Sequence, residues 1–208
     1  MNLPKLFTGE KTVATWGERR KEILALLGQY EYGVTPEIKL DKVTYTTPFI
    51  MELAGNIQYE THRAFFKAGD KFCSMRFEIF SRQTDKPLPS ILMIDVFDSS
   101  PDNMEYPDLS EKMQNRLPYD YITAQGYAAV HDICNDDPAS FERGIMEIAP
   151  RDGESGWGAI GAWAWGTSRV VDYILQDDRF ANDKIATIGV SRAGKTSLWC
   201  GAQDERIG

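Results

Sequence analysis

The sequence predicts an α/β fold, with antiparallel leading strands followed by a parallel sheet with crossover helices. Three observations lead there. Residues 40–82 are β-branched and aromatic runs broken by turn residues. Nearly continuous apolar runs then occur at 90–97, 127–133 and 184–190, the pattern of strands buried on both faces. Helical patterns separate these runs, and parallel neighbours need such crossovers.

Taken in chain order, TWGERRKEILALLGQY at 15–30 places Trp16, Ile23, Leu24 and Leu27 at helical spacing among charged residues. That predicts an amphipathic helix lying against the core and ended by Gly33 and Pro36. The runs KVTYTTPF, GNIQYETHRAFF and KFCSMRFEIFSR are separated by Gly55 and by Ala68-Gly69-Asp70, so hairpins should join them as antiparallel strands. SILMIDVF at 90–97 follows Pro87 and Pro89 and is the first strand of the doubly buried kind. A stretch rich in Asp, Pro and Ser at 98–110 comes next, then a helix ending near Gly126 and the strand YAAVHDI at 127–133.

After a loop through 134–153, GWGAIGAWAWGTSRVVDYIL at 156–175 puts Ile160, Ala164, Thr167, Val171 and Ile174 on one helical stripe. Its small residues allow close backbone approach to a sheet. KIATIGV at 184–190 is the last buried strand, and AGKTSLWCGAQDE at 193–205 is the helix that follows.

Bulk properties narrow the function. With 208 residues, 42% of them apolar, the chain suits one core, a single domain over 1–208. A net charge of −8 supplies no basic field for nucleic acid or anionic lipid, so neither is expected as a partner. The first residues hold no apolar run of signal-peptide length and no stretch approaches a membrane span. The expected location is cytoplasmic, with secretion through a cleaved signal as the other reading. Cys73, Cys134 and Cys200 are odd in number, widely spaced and form no Cys-x-x-Cys, which predicts buried thiols and no metal centre.

The most informative segment is Gly189-Val190-Ser191-Arg192-Ala193-Gly194-Lys195-Thr196, which runs from a strand into a helix and fits two motifs. As G-x-x-x-x-G-K-[ST] it would be a P-loop, with backbone N–H groups around phosphates and Lys195 reaching the terminal ones. As G-x-S-x-A it would be a nucleophile elbow with Ser191 at the tip of a strained turn. A P-loop follows the first strand of its domain and needs an Asp on a later strand, whereas only 12 residues follow Thr196. Several strands precede the turn, which suits the elbow of a partial α/β-hydrolase fold. Gly156-Trp157-Gly158-Ala159-Ile160-Gly161 also matches G-x-G-x-x-G. It follows the polar APRDGES rather than a strand, so close packing explains these glycines better than a dinucleotide.

With Arg192 and Lys195 at their offsets, the turn reads Ser-Arg-x-Gly-Lys and resembles the glucuronoyl esterase (4-O-methyl-glucuronoyl methylesterase) family of carbohydrate esterases, whose bacterial branch is often labelled acetyl xylan esterase. The resemblance takes in GWGAIGAWAWG, Asp183-Lys184-Ile185, the Leu-Trp-x-Gly-Ala-x-Asp-Glu-Arg run at 198–206, and Tyr32-Gly33 with Pro36. It implies that Ser191 attacks an ester carbonyl, that Arg192 and a backbone N–H at the helix start hold the oxyanion, and that Lys195 binds hydroxyls of a uronic acid sugar. Val190 stands where fungal members carry a disulfide-bonded Cys, which suits the bacterial branch.

The fold's order is nucleophile, acid, then His, and no His follows Ser191. His62 sits among polar neighbours in an antiparallel strand, and His131 ends a strand that another should separate from the nucleophile strand; both are expected to be structural. Asp132, Asp136 and Asp137 are expected in solvated loop or cap positions, and Asp204 and Glu205 as exposed helix-end residues.

The expected function is a serine carboxylic ester hydrolase acting on xylan-derived sugar esters, acetyl or glucuronoyl, through an acyl-enzyme on Ser191 and without cofactor or metal. The domain should be incomplete and the chain by itself inactive. Its last strand should leave an edge open to self-association. The alternatives are a non-catalytic carbohydrate-binding module and, more distantly, a P-loop nucleotide binder.

Overall fold

A computed structural model describes residues 5–7, 9, 12–95, 115, 117–133 and 144–208. Six strands form one sheet in the order β1-β2-β3-β5-β4-β6. β1 (Lys42–Leu53), β2 (Ile57–Ala68) and β3 (Lys71–Arg82) are the expected antiparallel hairpins. β3 pairs antiparallel with β5 (Ala128–Ile133), which carries the sheet into its parallel half. There β4 (Leu88–Asp95) lies between β5 and β6 (Phe180–Gly189), parallel to both.

Alternation along the strands divides the core into two layers. One face buries Phe66, Met75, Phe77, Ile79, Leu92 and Val130 against Val170, Val171 and Ile174 of α4 (Ala159–Ile174). α3 (Ile145–Ile148) adds Ile145 and Ile148 to the same face. The opposite face packs Tyr59, Phe80, Met93 and Ala129 on α2 (Tyr119–Ala124). On α4, Ala164, Thr167, Val171 and Ile174 of the predicted stripe are buried and Ile160 is half-buried. α5 (Arg192–Gln203) leaves β6 and packs on α4, with Ala164, Trp199 and Cys200 in one buried group.

Several expectations change. α1 (Val13–Leu27) buries no residue, although an amphipathic helix against the core was expected. Arg20 lies within its apolar stripe, so it meets the carboxy-terminal end of α5 through a guanidinium that donates to the Ala202 carbonyl and pairs with Glu205 at 2.9 Å. Only Leu24 reaches a buried cluster. Beyond Leu27 the chain continues as a five-residue π-helical turn, Gly28–Tyr32, before Gly33 ends it at φ +82°. β6 begins at Phe180 rather than 184, and Val190 lies past its end and exposed.

Residues 96 and 97 of the predicted fourth strand, the stretch 98–110, Cys134, Asp136 and Asp137 lie outside the described residues. Cys73 and Cys200 are buried, as expected, and burial pushes the Cys200 thiol up to about 12. At the end of the chain the Gly208 N–H donates to the Ile185 carbonyl of β6. Among the described residues no helix is long and apolar enough to cross a membrane.

Candidate active site

The site forms where β6 turns into α5. Ser191 adopts φ +57° and ψ −117°, and apart from Asn56 it is the only non-glycine among the described residues at positive φ. Such a backbone costs about 1–3 kcal/mol and persists only where its surroundings enforce it. The enforcement is local. A Cβ on Gly189 would lie 2.4 Å from the Ala193 carbonyl atoms, and one on Gly194 would lie 3.0 Å from the Gly189 oxygen. Ala193 is buried with Ile94 of β4 and Trp163 of α4, which seats the first turn of the helix. The Ala193 N–H donates to Val190 O at 3.1 Å and the Lys195 N–H to Ser191 O at 3.1 Å.

These constraints leave the Ser191 side chain exposed beside the positive end of the α5 dipole. Arg192 and Lys195 are exposed on the same first turn, so the structure brings together all three predicted site residues. Thr196, which a P-loop would offer to a metal ion, is buried and donates to the Arg192 carbonyl at 3.0 Å. The Lys195 ammonium lies 3.3 Å from a carboxylate oxygen of Glu31. Both contacts fit an elbow rather than a phosphate cradle.

The second glycine motif has a packing explanation. A Cβ on Gly161 would lie 3.2 Å from Tyr32 O and from the Trp157 Cβ. Trp157 is buried, and its indole N–H donates to Ala149 O at 2.8 Å. Gly161 therefore admits the Tyr32 backbone, a Cβ on Gly156 would lie 2.4 Å from Asp152 O, and one on Gly158 would meet nothing within 4 Å. Contact with the loop and turn around them, rather than the expected packing on the sheet, accounts for these positions.

Both histidines are buried and engaged, as structural histidines should be. The His62 ring stacks on Phe77, with Nδ1 3.0 Å from Thr47 Oγ1 and Nε2 3.0 Å from Glu60. His131 lies between two carboxylates, Nδ1 3.0 Å from Glu78 and Nε2 3.2 Å from Asp95. Burial lowers the basicity of this ring, but hydrogen bonds to Asp95 and Glu78 outweigh it and raise the pKa to about 9. The ring is therefore an imidazolium at neutral pH. β4 separates its strand from β6, as expected.

The aspartates bring corrections. Asp132 is not a solvated cap: it is completely buried on the α4 face and accepts a hydrogen bond from Thr167. Its place in β5 points it at that helix, opposite in sense to His131. Asp204 is likewise partly buried. Burial works against its charge, but hydrogen bonds from Arg206 and Ser168 hold its carboxyl below the usual range. Glu205 is exposed, as expected. Sequence reasoning missed Glu31, the partner of Lys195. Its only signal was its place beside Tyr32-Gly33, since nothing in the sequence spacing links residues 31 and 195.

Comparison with known proteins agrees with this geometry. Residues 152–208 match the family described as glucuronyl esterase, fungi. The carbohydrate esterase MZ0003, from an unknown prokaryotic organism, is 39% identical over 94 residues, 40% of this chain and 21% of that protein. A 4-O-methyl-glucuronoyl methylesterase of Podospora anserina is 28% identical over 203 residues, 93% of this chain and 36% of that protein. A solved glucuronoyl esterase from Solibacter usitatus superposes with a TM-score of 0.80 at 25% identity, covering 100% of this chain and 62% of that one. The chain thus spans less than two thirds of the length of each of these relatives. The sheet and the strained serine turn thus go together with a likeness to glucuronoyl esterases, in sequence over residues 152–208 and in fold over the described chain.

Proposed function

We propose that the protein hydrolyses carboxylic esters of xylan-derived uronic acid sugars through an acyl-enzyme on Ser191. The observation that carries this reading is the backbone of Ser191, held at φ +57° on a turn that glycines 189 and 194 make possible. A strained position maintained by its neighbours suits a nucleophile presented at fixed geometry above the strand ends.

In this mechanism the Ser191 Oγ adds to the ester carbonyl, and its proton passes to a base as the alcohol leaves. Water then cleaves the acyl-enzyme to the free acid. The guanidinium of Arg192 and its own backbone N–H, directly after the nucleophile, stabilise the oxyanion. The Lys195 ammonium, one helical turn along, donates to sugar hydroxyls. Among the described residues both imidazoles are committed to carboxylates, so neither serves as the base. The same observation favours a second reading, a carbohydrate-binding module that keeps the cations and does not turn over.

The test is hydrolysis of methyl glucuronate by the full-length protein. Ser191→Ala should lower turnover by about 10³-fold or more while thermal stability is retained. Undiminished turnover in that variant would overturn the reading. Binding of the sugar acid without any acylation of Ser191 would favour the binding module.

A further inference from the structure

Lys195 and Trp199 lie four residues apart on one side of α5, whose N-cap is Ser191. The π-helical turn at Gly28–Tyr32 meets that side in register. Tyr32 is buried and stacks on Trp199, with ring centroids 4.6 Å apart and planes 24° apart. Its carbonyl accepts from Gly158 N at 3.3 Å. At Gly33 any Cβ would lie 2.3 Å from the Trp157 Cα, so the backbone there is fixed by contact. Glu31, the residue before Tyr32, is thereby set one helical turn nearer the nucleophile, where it pairs with Lys195 at 3.3 Å. The two side chains are 49% and 56% exposed, so this pair faces solvent, on the helical turn whose Lys195 N–H donates to the Ser191 carbonyl.

The charge placed there has a consequence for the proposed reaction, on which this inference rests. A uronate ester is neutral. Hydrolysis transfers the acyl group to water, releases the alcohol and leaves a carboxylate with one proton given to solvent. A site built of Arg192, Lys195 and a helix N-terminus would hold that anion more tightly than the ester it came from. A carboxylate beside Lys195 opposes this.

We propose that Glu31 is a selectivity residue that acts through Lys195 to weaken retention of the free uronate acid relative to its ester. An exposed pair of this kind changes affinities by a small factor, about threefold to fivefold.

The experiment measures dissociation constants for glucuronate and for its methyl ester by calorimetry on full-length Ser191→Ala protein, with and without Glu31→Gln. The acid-to-ester affinity ratio should rise by about threefold to fivefold in Glu31→Gln and the rise should shrink in about 0.5 M salt. It should vanish when Lys195→Met is also present, and Glu31→Asp, which keeps the charge, should retain the parental ratio. An unchanged ratio, a change that persists without Lys195, or no measurable binding of either sugar would overturn the proposal. Turnover that survives Ser191→Ala would instead sink the hydrolase reading and leave the binding ratio to be read independently.

Discussion

Gly189 shows how one missing side chain holds the elbow. Because a Cβ there would lie 2.4 Å from the Ala193 backbone, Gly189→Ala must push the first turn of α5 away from β6. Backbone cannot yield as a flexible side chain can, so the cost should be about 2–4 kcal/mol. Chemical denaturation should show that loss, and turnover should fall further than the population of folded protein explains, because Ser191 rides on the displaced turn. A variant with parental stability would mean that the turn is slack. The strained turn at Ser191 was legible in the sequence because its signals are local: glycines 189 and 194 and the serine fall within six residues. Glu31 was not, because its meeting with Lys195 depends on a turn 164 residues away that the Tyr32–Trp199 stack docks on the helix.

At the scale of elements, the sheet is clamped across the change from antiparallel to parallel pairing by a buried polar chain. Tyr59 of β2 donates to Glu78 of β3 at 2.9 Å, and His131 of β5 links Glu78 to Asp95 of β4. Arg76 of β3 is buried on the same face and its charge acts on Glu78. With the folded His131 raised to about 9 from 6.5, the linkage has a definite sign. The imidazolium stabilises the fold fully below pH 6.5, and that contribution is lost as pH rises through about 9. Denaturant midpoints of the parent should therefore fall between pH 7 and 10. His131→Gln should be less stable at pH 6 by about 3 kcal/mol and should lack that slope. A parent with a flat profile would show that the ring is neutral in the fold. The strands themselves were readable because apolar periodicity reports burial. The clamp was hidden because a His, a Glu and an Asp in three separate strands become one group only once strand order and register are known. Asp132 was misjudged for the same reason: its neighbour Thr167 belongs to a helix that crosses the strand from elsewhere in the chain.

At the scale of the whole molecule, stability is unevenly distributed between the sheet and the amino-terminal helix. β2, β3 and β5 are flanked by strands on both sides and covered by two apolar layers, while α1 contributes no buried residue. Among the described residues its attachments are Leu24, the Arg20 contacts with Ala202 and Glu205, Arg19 hydrogen bonds to the Lys5 and Leu6 carbonyls, and the Trp16 ring with its centroid 5.6 Å from that of Phe7. Contacts of that kind, made in water, sum to about 1–2 kcal/mol, far below the 5–15 kcal/mol typical of global unfolding. The π-helical turn immediately after α1 is anchored differently, through the buried Tyr32 stack on Trp199. Opening of α1 should therefore stop at that turn. Hydrogen exchange read by mass spectrometry should show amides of α1 exchanging early, those of residues 30–34 later, and those of β3 and β5 last. Equal protection of α1 and β3 would contradict this ordering and would mean that α1 folds as part of the core. If the ordering holds, α1 can detach while Glu31 stays beside Lys195, and the charge balance next to Ser191 survives the loss of the helix that precedes it.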